Sequence, residues 1–391
     1  MNIYKKIGIV CLTAALLANE FTLSYFFSVD GKIDSAEFKY CIYFFNILTT
    51  SFGILLLFSK FLNNAIINFC ICILSLLFII SITEFTFWLL LKLQNTPYEI
   101  YSKKYVKYDD LLGYKGIPEQ KTHALKLIEN DTIYDVNFTF DKYGRRLTHD
   151  SLVISDLFAV FMGCSHIFGT GLNDFETVPW LFGKKKKQYF PYNYALPGYG
   201  PQQMLAILKN RTLKKELDQG NGIFIYLFTD DHVQRAIGSL IVHYSWGEFM
   251  PFFELNDKTN ELIYKGNFTS SRPIRSFIYK VAGSSNVVNY FNINWPLTSD
   301  NKDFKLTAEI INQSAKEALK LYPESKFYVV FKPGNKYKEK ISKLLETKII
   351  KVLDLSTIYN PKTNEYLIKN DGHPTAKANK LIVKEILKHM N

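Results

Sequence analysis

The segment Gly163-Cys164-Ser165-His166-Ile167-Phe168-Gly169-Thr170-Gly171-Leu172-Asn173 sets a serine among glycines at the end of an apolar run. That run, residues 157–162 (Leu-Phe-Ala-Val-Phe-Met), is short, continuous and rich in aliphatic and aromatic side chains, which reads as a buried strand. After it, Asn173 stands three positions before Glu176, the spacing of a helix capping box. A serine on a tight turn between a parallel-type strand and a helix stands at the carboxyl edge of the sheet. Helix N–H groups and the dipole favour negative charge there, so a nucleophile and a developing oxyanion can share the place. A plain turn serine that caps the helix is the structural alternative. Near the C-terminus, Asn370-Asp371-Gly372-His373-Pro374 precedes an amphipathic helix. A histidine two residues after an aspartate, on a loop held by Gly and Pro, suits a general base oriented by a carboxylate. Asp371 would hold the imidazole in the tautomer that leaves Nε2 free, and His373 would take the Ser165 proton.

Other residues carry chemistry less directly. His166, beside the serine, reads as a pocket wall or substrate donor. Cys164 reads as a small buried residue at a strand end, or as a thiol nucleophile at a helix N-terminus. Asp231 and His232 read as substrate binders or metal ligands; there is no second histidine at ligand spacing, so no metal is expected. Arg235 is either a solvated helix residue or the partner of Asp230 or Asp231. The aromatics Tyr244, Trp246, Phe249, Phe252 and Phe253 read as the core of an insertion or as a sugar-stacking platform.

Elements to position these residues follow from periodicity. Strands are predicted at 157–163, 188–195, 222–229, 326–332 and 348–355, and helices at 174–183, 201–218, 303–321, 336–346 and 375–389. Alternation of this kind makes an α/β fold, a five-stranded parallel sheet between two helical layers. It fails over 232–300, which reads as an insertion above the sheet's carboxyl edge. Before it, residues 94–150 form a linker and a small β segment, with alternation over 133–140 and a turn at Asp141-Lys142-Tyr143-Gly144.

The chain of 391 residues is 48% apolar, and that content is unevenly spread, with three long apolar stretches in the first 93 residues, at 7–28, 40–59 and 65–91. Each approaches the ~20 residues that cross a bilayer as a helix, so three transmembrane helices are expected. Lys5 and Lys6 ahead of the first stretch also fit a signal peptide, but no small-x-small cleavage site ends it. Asn19, Glu20 and Glu84 interrupt the stretches and need polar partners. The positive-inside rule does not settle the side of the C-terminal part: the raw lysine count beside the spans leans towards the cytoplasm by a small margin. The net charge of +11 is densest in the lysines at 184–187, a solvated helix end or a patch for anionic glycan or headgroups. No nucleic-acid module is present, and a single cysteine outside the apolar stretches excludes a disulfide framework.

Together these segments resemble the SGNH/GDSL hydrolase superfamily, and more closely its membrane-anchored bacterial glycan-modifying relatives. The family's Gly-Asp-Ser block and Gly-x-Gly turn are similar to Gly163-Cys164-Ser165-His166 with Gly169 and Gly171. The run Asn173-Asp174-Phe175-Glu176-Thr177-Val178-Pro179 resembles the subgroup's Asn-Asp-x-Glu-Thr-x-Pro, and Asn193-Tyr194-Ala195-Leu196-Pro197-Gly198-Tyr199-Gly200-Pro201 its second block. Asp371 and His373 fall at the last block, and Leu112-Gly113-Tyr114 and Tyr143-Gly144-Arg145-Arg146 also resemble the subgroup. The likeness covers about residues 108–390. It departs in three places: Cys164 stands for the usual aspartate, Ala195 for the glycine whose N–H serves the oxyanion, and Asp230 where an asparagine side chain is the third donor.

The resemblance implies a flavodoxin-like SGNH fold and a serine esterase or O-acyltransferase acting on acyl esters of an envelope or extracellular glycan. Ser165, His373 and Asp371 would be catalytic, with Ala195, Asp230, His166 and Arg235 around the oxyanion and substrate. No cofactor is implied. The chain would be a multi-pass protein of the bacterial inner membrane with its soluble domain extracytoplasmic, the reverse of the lysine count. A transferase would also need a membrane partner that delivers the acyl donor. The alternative is a non-catalytic envelope protein that keeps the fold for glycan binding or assembly.

Overall fold

The structure is a computed structural model describing residues 3–27, 36–58, 64–94, 96–149, 155–210, 213–256, 258–361 and 363–390. Contacts divide the chain into two compact units, Met1–Gln94 with Ser284–Asn292, and Asn95–Gly283 with Ile293–Asn391. The expected span ends at Ser28 and Ser59, and Lys32 and Lys60 of the lysine count, lie outside the described residues.

The first unit holds helices α1 (Ile3–Leu17), α2 (Glu20–Phe27), α3 (Ala36–Leu57) and α4 (Asn64–Lys92). The apolar stretch at 7–28 is not one helix. Asn19 Nδ2 donates to Leu16 O (2.5 Å) and Asn19 Oδ1 accepts from Thr22 N (3.0 Å), so one side chain closes α1 and starts α2. Glu20 then pairs with Lys39 at 2.8 Å. At 15 and 8 residues, α1 and α2 reach about 22 and 12 Å, short of a ~30 Å hydrocarbon core. Among the described residues one helical stretch is long and apolar enough to cross a membrane, Ile71–Lys92; the next, Ile42–Leu57, is shorter. The expectation of three spans is therefore met by length and composition in one. Glu84 within that stretch has the polar partners its position demands: Ser285 Oγ donates at 2.5 Å and Asn286 N at 2.6 Å. Phe87 packs against Tyr290 and Phe291, with ring centroids 5.0 and 5.3 Å away.

The second unit begins with β1 (Tyr98–Tyr101), β2 (Val106–Asp109), β3 (Gly113–Gly116), β4 (Lys121–Ile128) and β5 (Asp131–Thr139). β1, β4 and β5 form one antiparallel sheet, and β2 and β3 a separate hairpin. The turn after β5 closes on Asp141, whose Oδ1 accepts from Tyr143 N and Arg145 N at 2.9 Å. Five parallel strands follow: β6 (Leu157–Met162), β7 (Tyr189–Asn193), β8 (Asn221–Phe228) and, beyond the antiparallel pair β9 (Pro251–Leu255) and β10 (Leu262–Asn267), β11 (Lys326–Phe331) and β12 (Ile350–Asp354). Their order is β12-β11-β8-β6-β7. Counted along the chain this is 2-1-3-4-5, the flavodoxin-like order, with its switch point between β6 and β8. In such sheets the ligand crevice lies outside the carboxyl ends of the strands at that point.

β6 is apolar throughout because both faces are covered: Phe158, Ala159, Val160 and Phe161 are fully buried. Helices α5 (Ser165–Phe168), α6 (Val178–Lys185), α7 (Pro201–Lys209), α8 (Asp231–Ile237), α9 (Asn301–Leu321) and α10 (Ala376–Lys388) complete the frame. α7, α8 and α9 pack together, and α6 packs with α10, so the sheet carries two groups of helices. The helix expected at 174–183 is a 3-10 turn, Asp174–Glu176, followed by α6, and the one expected at 201–218 stops at Lys209 before a short turn, Leu213–Glu216. The aromatics of the insertion divide: Phe252 and Phe253 are buried, while Tyr244, Trp246 and Phe249 are exposed.

Candidate active site

β6 ends and the chain turns at once. Cys164 is extended and buried, and Ser165 is the first residue of the one-turn α5. A helical turn thus starts at the serine itself, ahead of the turn capped by Asn173, and the first turn of a helix leaves its N–H groups without internal acceptors. α5 stops at Gly169 with φ +86°; a Cβ there would lie 2.5 Å from Thr177 Cγ2, so only glycine turns the chain here.

Arg146 grips the loop that follows. Its side chain is fully buried, stacked within 4.8 Å of Phe138 and Phe168. Nη1 donates to Phe168 O (2.8 Å) and Gly169 O (2.6 Å), Nη2 to Leu172 O (2.5 Å), and Nε to Asp174 Oδ1 (2.9 Å). A planar fork fills these positions as an ammonium cannot.

His373 Nδ1 lies 2.5 Å from Asp371 Oδ1. Asp371 has a fully buried carboxylate whose Oδ2 takes Lys126 Nζ at 2.5 Å, and Lys126 reaches Glu99 at 3.2 Å. Glu99 in turn accepts from Tyr134 Oη at 3.0 Å and from Tyr101. The relay runs from the small antiparallel sheet into the loop before α10. Burial pushes the Asp371 carboxyl up, but His373 and then Lys126 outweigh it and hold it down from 3.8 to about 2. An ionised aspartate on Nδ1 leaves Nε2 free, as a general base requires.

Ser165, His166, Arg235, Asp371 and His373 line one cavity of about 600 Å³, with Asp231, Glu99, Tyr101, Tyr114 and Trp246 on other walls. Among the described residues no hydrogen bond joins Ser165 to His373. The His166 ring lies 5.5 Å from the His373 ring. Burial, then the neighbouring His373, holds His166 well below the ordinary histidine range, so it stays neutral at pH 7. Gly198 (φ +84°) lets Tyr114 and Trp246 close over it: a Cβ would lie 2.5 Å from Tyr114 Oη and 2.6 Å from Trp246 Nε1.

Two expected site residues stand elsewhere. The Ala195 N–H donates to Asn193 Oδ1 at 3.1 Å and is buried. Asp230 turns its carboxylate to the loop after β11, accepting from Lys336 N (3.0 Å) and Tyr337 N (3.3 Å). Neither lines the cavity. Arg235 pairs with Asp231 at 3.8 Å rather than with Asp230, and is buried rather than solvated. His232 is a core residue: it is fully buried, with Tyr226 Oη 2.6 Å from its Nδ1. Sequence reasoning missed Lys126 and Glu99 altogether, since nothing in the alternation of β1 and β4 marks them. It noted Arg146 only as part of a resembling tetrapeptide.

No family model matches the chain, and no curated protein matches it. Among solved structures it is similar to an acetyl xylan esterase from the rumen bacterium Butyrivibrio proteoclasticus, at 10% identity over 62% of this chain and 64% of that one, with a TM-score of 0.36. It is also similar to a mutant of an acetyl-xylooligosaccharide esterase from Geobacillus, at 10% identity over 61% and 96% with a TM-score of 0.35. A member of the lipolytic G-D-S-L family from Veillonella parvula aligns at 9% identity over 59% and 97%, again with a TM-score of 0.35. Likeness at this level says nothing of substrate or activity.

Proposed function

We propose that this protein is a membrane-anchored serine esterase or O-acyltransferase of SGNH type, acting on acyl esters of an envelope or extracellular glycan. The observation that carries the reading is a serine at the switch-point edge of the sheet, sharing a cavity with a histidine whose Nδ1 is held by a buried, ionised aspartate. In this reading Ser165 attacks the acyl carbonyl, His373 takes its proton and later returns it to the leaving alcohol, and Asp371 orients the imidazole. Water resolves the acyl-enzyme in a hydrolase, and a sugar hydroxyl does so in a transferase. A cavity walled by Tyr101, Tyr114 and Trp246 suits a sugar, whose ring faces stack on aromatics. The apolar stretch Ile71–Lys92 supports anchoring in the bacterial inner membrane. An envelope glycan places the domain outside the cytoplasm, against the lysine count.

A fluorophosphonate probe tests the reading. Purified protein is expected to be labelled and to cleave 4-nitrophenyl acetate, and Ser165→Ala to lose both while keeping its circular dichroism spectrum. Labelling that survives Ser165→Ala refutes the assignment. A second reading, a non-catalytic glycan-binding protein, draws on the missing Ser165–His373 hydrogen bond and the occupied Ala195 N–H. It predicts no labelling and no turnover in the unaltered protein.

A further inference from the structure

The donors expected to meet an oxyanion are engaged elsewhere, Ala195 N–H by Asn193 and Asp230 by the backbone at 336–337. The cavity offers a guanidinium in their place. Arg235 lines it beside Ser165, His166 and His373, although its side chain is only 9% exposed. Nη1 donates to Tyr199 O at 2.8 Å and Nη2 stands 3.8 Å from Asp231 Oδ2, but the buried Nε–H has no acceptor among the described residues. A buried donor left unpaired costs about 1–3 kcal/mol, more on a charged group, so it marks a place where something else accepts. Cys164, the residue before the serine, borders the same guanidinium. The cation therefore meets the residue that precedes the nucleophile in the chain.

We propose that Arg235 is the oxyanion donor of this site, its Nε–H bonding the carbonyl oxygen of the acyl group as Ser165 attacks. The proposal rests on Ser165 as nucleophile. Ser165 Oγ forms a bond to the acyl carbon, its proton passes to His373 Nε2, and the carbonyl π pair moves onto oxygen. That oxygen takes the Arg235 Nε–H and the Ser165 N–H. Collapse restores the carbonyl and breaks the bond to the leaving oxygen, which receives the proton from His373. Arg235 stays protonated throughout. Burial opposes its charge, but Cys164 and Asp231 outweigh burial and hold it above the ordinary arginine range.

The test uses the full chain and 4-nitrophenyl acetate, with Arg235→Gln and Arg235→Lys. Loss of one oxyanion donor lowers kcat by about 10²–10³. Both variants are expected to show a fall of that order with KM within about threefold. Affinity for a trifluoromethyl ketone, which forms the oxyanion adduct on Ser165, is expected to fall in parallel. Unchanged kcat in either folded variant overturns the proposal. So does a loss confined to KM, which would make Arg235 a site for an anionic group on the substrate. If Arg235→Gln does not fold, Arg235→Lys decides alone, since it keeps the charge and lacks the Nε–H. An unaltered protein that neither turns over nor labels removes the esterase reading and this proposal together. A labelled, active protein whose Arg235 variants match it removes only this one.

Discussion

Replacing Lys126 with methionine keeps an aliphatic stem and deletes the charge that faces Asp371 and Glu99. The Asp371 carboxyl falls from 3.8 to about 2 on folding, which is worth on the order of 2 kcal/mol. Solvent in the cavity that Asp371 lines screens part of this. His373 is the larger source of the depression and Lys126 the smaller, so the lysine's share is about 1 kcal/mol. Glu99, also held low in part by Lys126, adds in the same direction. The sign follows from the depression: the contribution is fully present above pH 3.8 and is lost as pH falls towards 2. Urea unfolding of the solubilised full chain, followed by tryptophan fluorescence between pH 7 and pH 2.5, reads it out. Lys126→Met is expected to be less stable by about 1 kcal/mol at pH 7, with the gap closing below about pH 3.5. A gap that stays constant over that range would mean that Lys126 acts by packing alone, and the relay would have no electrostatic role.

Other substitutions separate positioning from chemistry. Asp230→Asn is expected to leave turnover within twofold and stability within about 1 kcal/mol, since an amide oxygen still accepts from Lys336 and Tyr337. A tenfold change in kcat would return Asp230 to the site. Arg146→Lys should cost about 3 kcal/mol or more in unfolding and slow fluorophosphonate labelling, because the loop at 169–172 loses its fork. Gly198→Ala, forced to φ +84° against Tyr114 and Trp246, should lower stability by about 1–3 kcal/mol and weaken binding of bulky esters more than of acetyl esters.

Legibility in the sequence followed how local each determinant is. The apolar run of β6, the glycine turn around Ser165 and the Asp371–His373 pair are all written within a few consecutive residues. Strand–helix alternation likewise marked the five parallel strands to within two residues at each end. Residues whose role depends on where a side chain turns were not legible. Asp230 sits one residue before α8, and its carboxylate is taken by the backbone at Lys336, more than a hundred positions on. Ala195 lost its N–H to an asparagine two residues back. Lys126 meets Asp371 only because a hairpin made at the start of the second unit closes on a loop near the chain's end. The apolar stretch at 7–28 misled by composition: its hydrophobicity is real, but one asparagine amide that bonds the backbone on both sides ends the helix.

The short segment Ser284–Asn292 belongs to the N-terminal helical unit although its neighbours in sequence belong to the other. The chain therefore passes between the units at 94–95, at 283–284 and again at 292–293. A protease cut at the polar stretch around Asn95 severs one of these passages and leaves two intact. The second unit, nicked in this way, would remain attached through Tyr290, Phe291 and the Glu84 hydrogen bonds. Detachment would require a detergent or denaturant that separates those contacts.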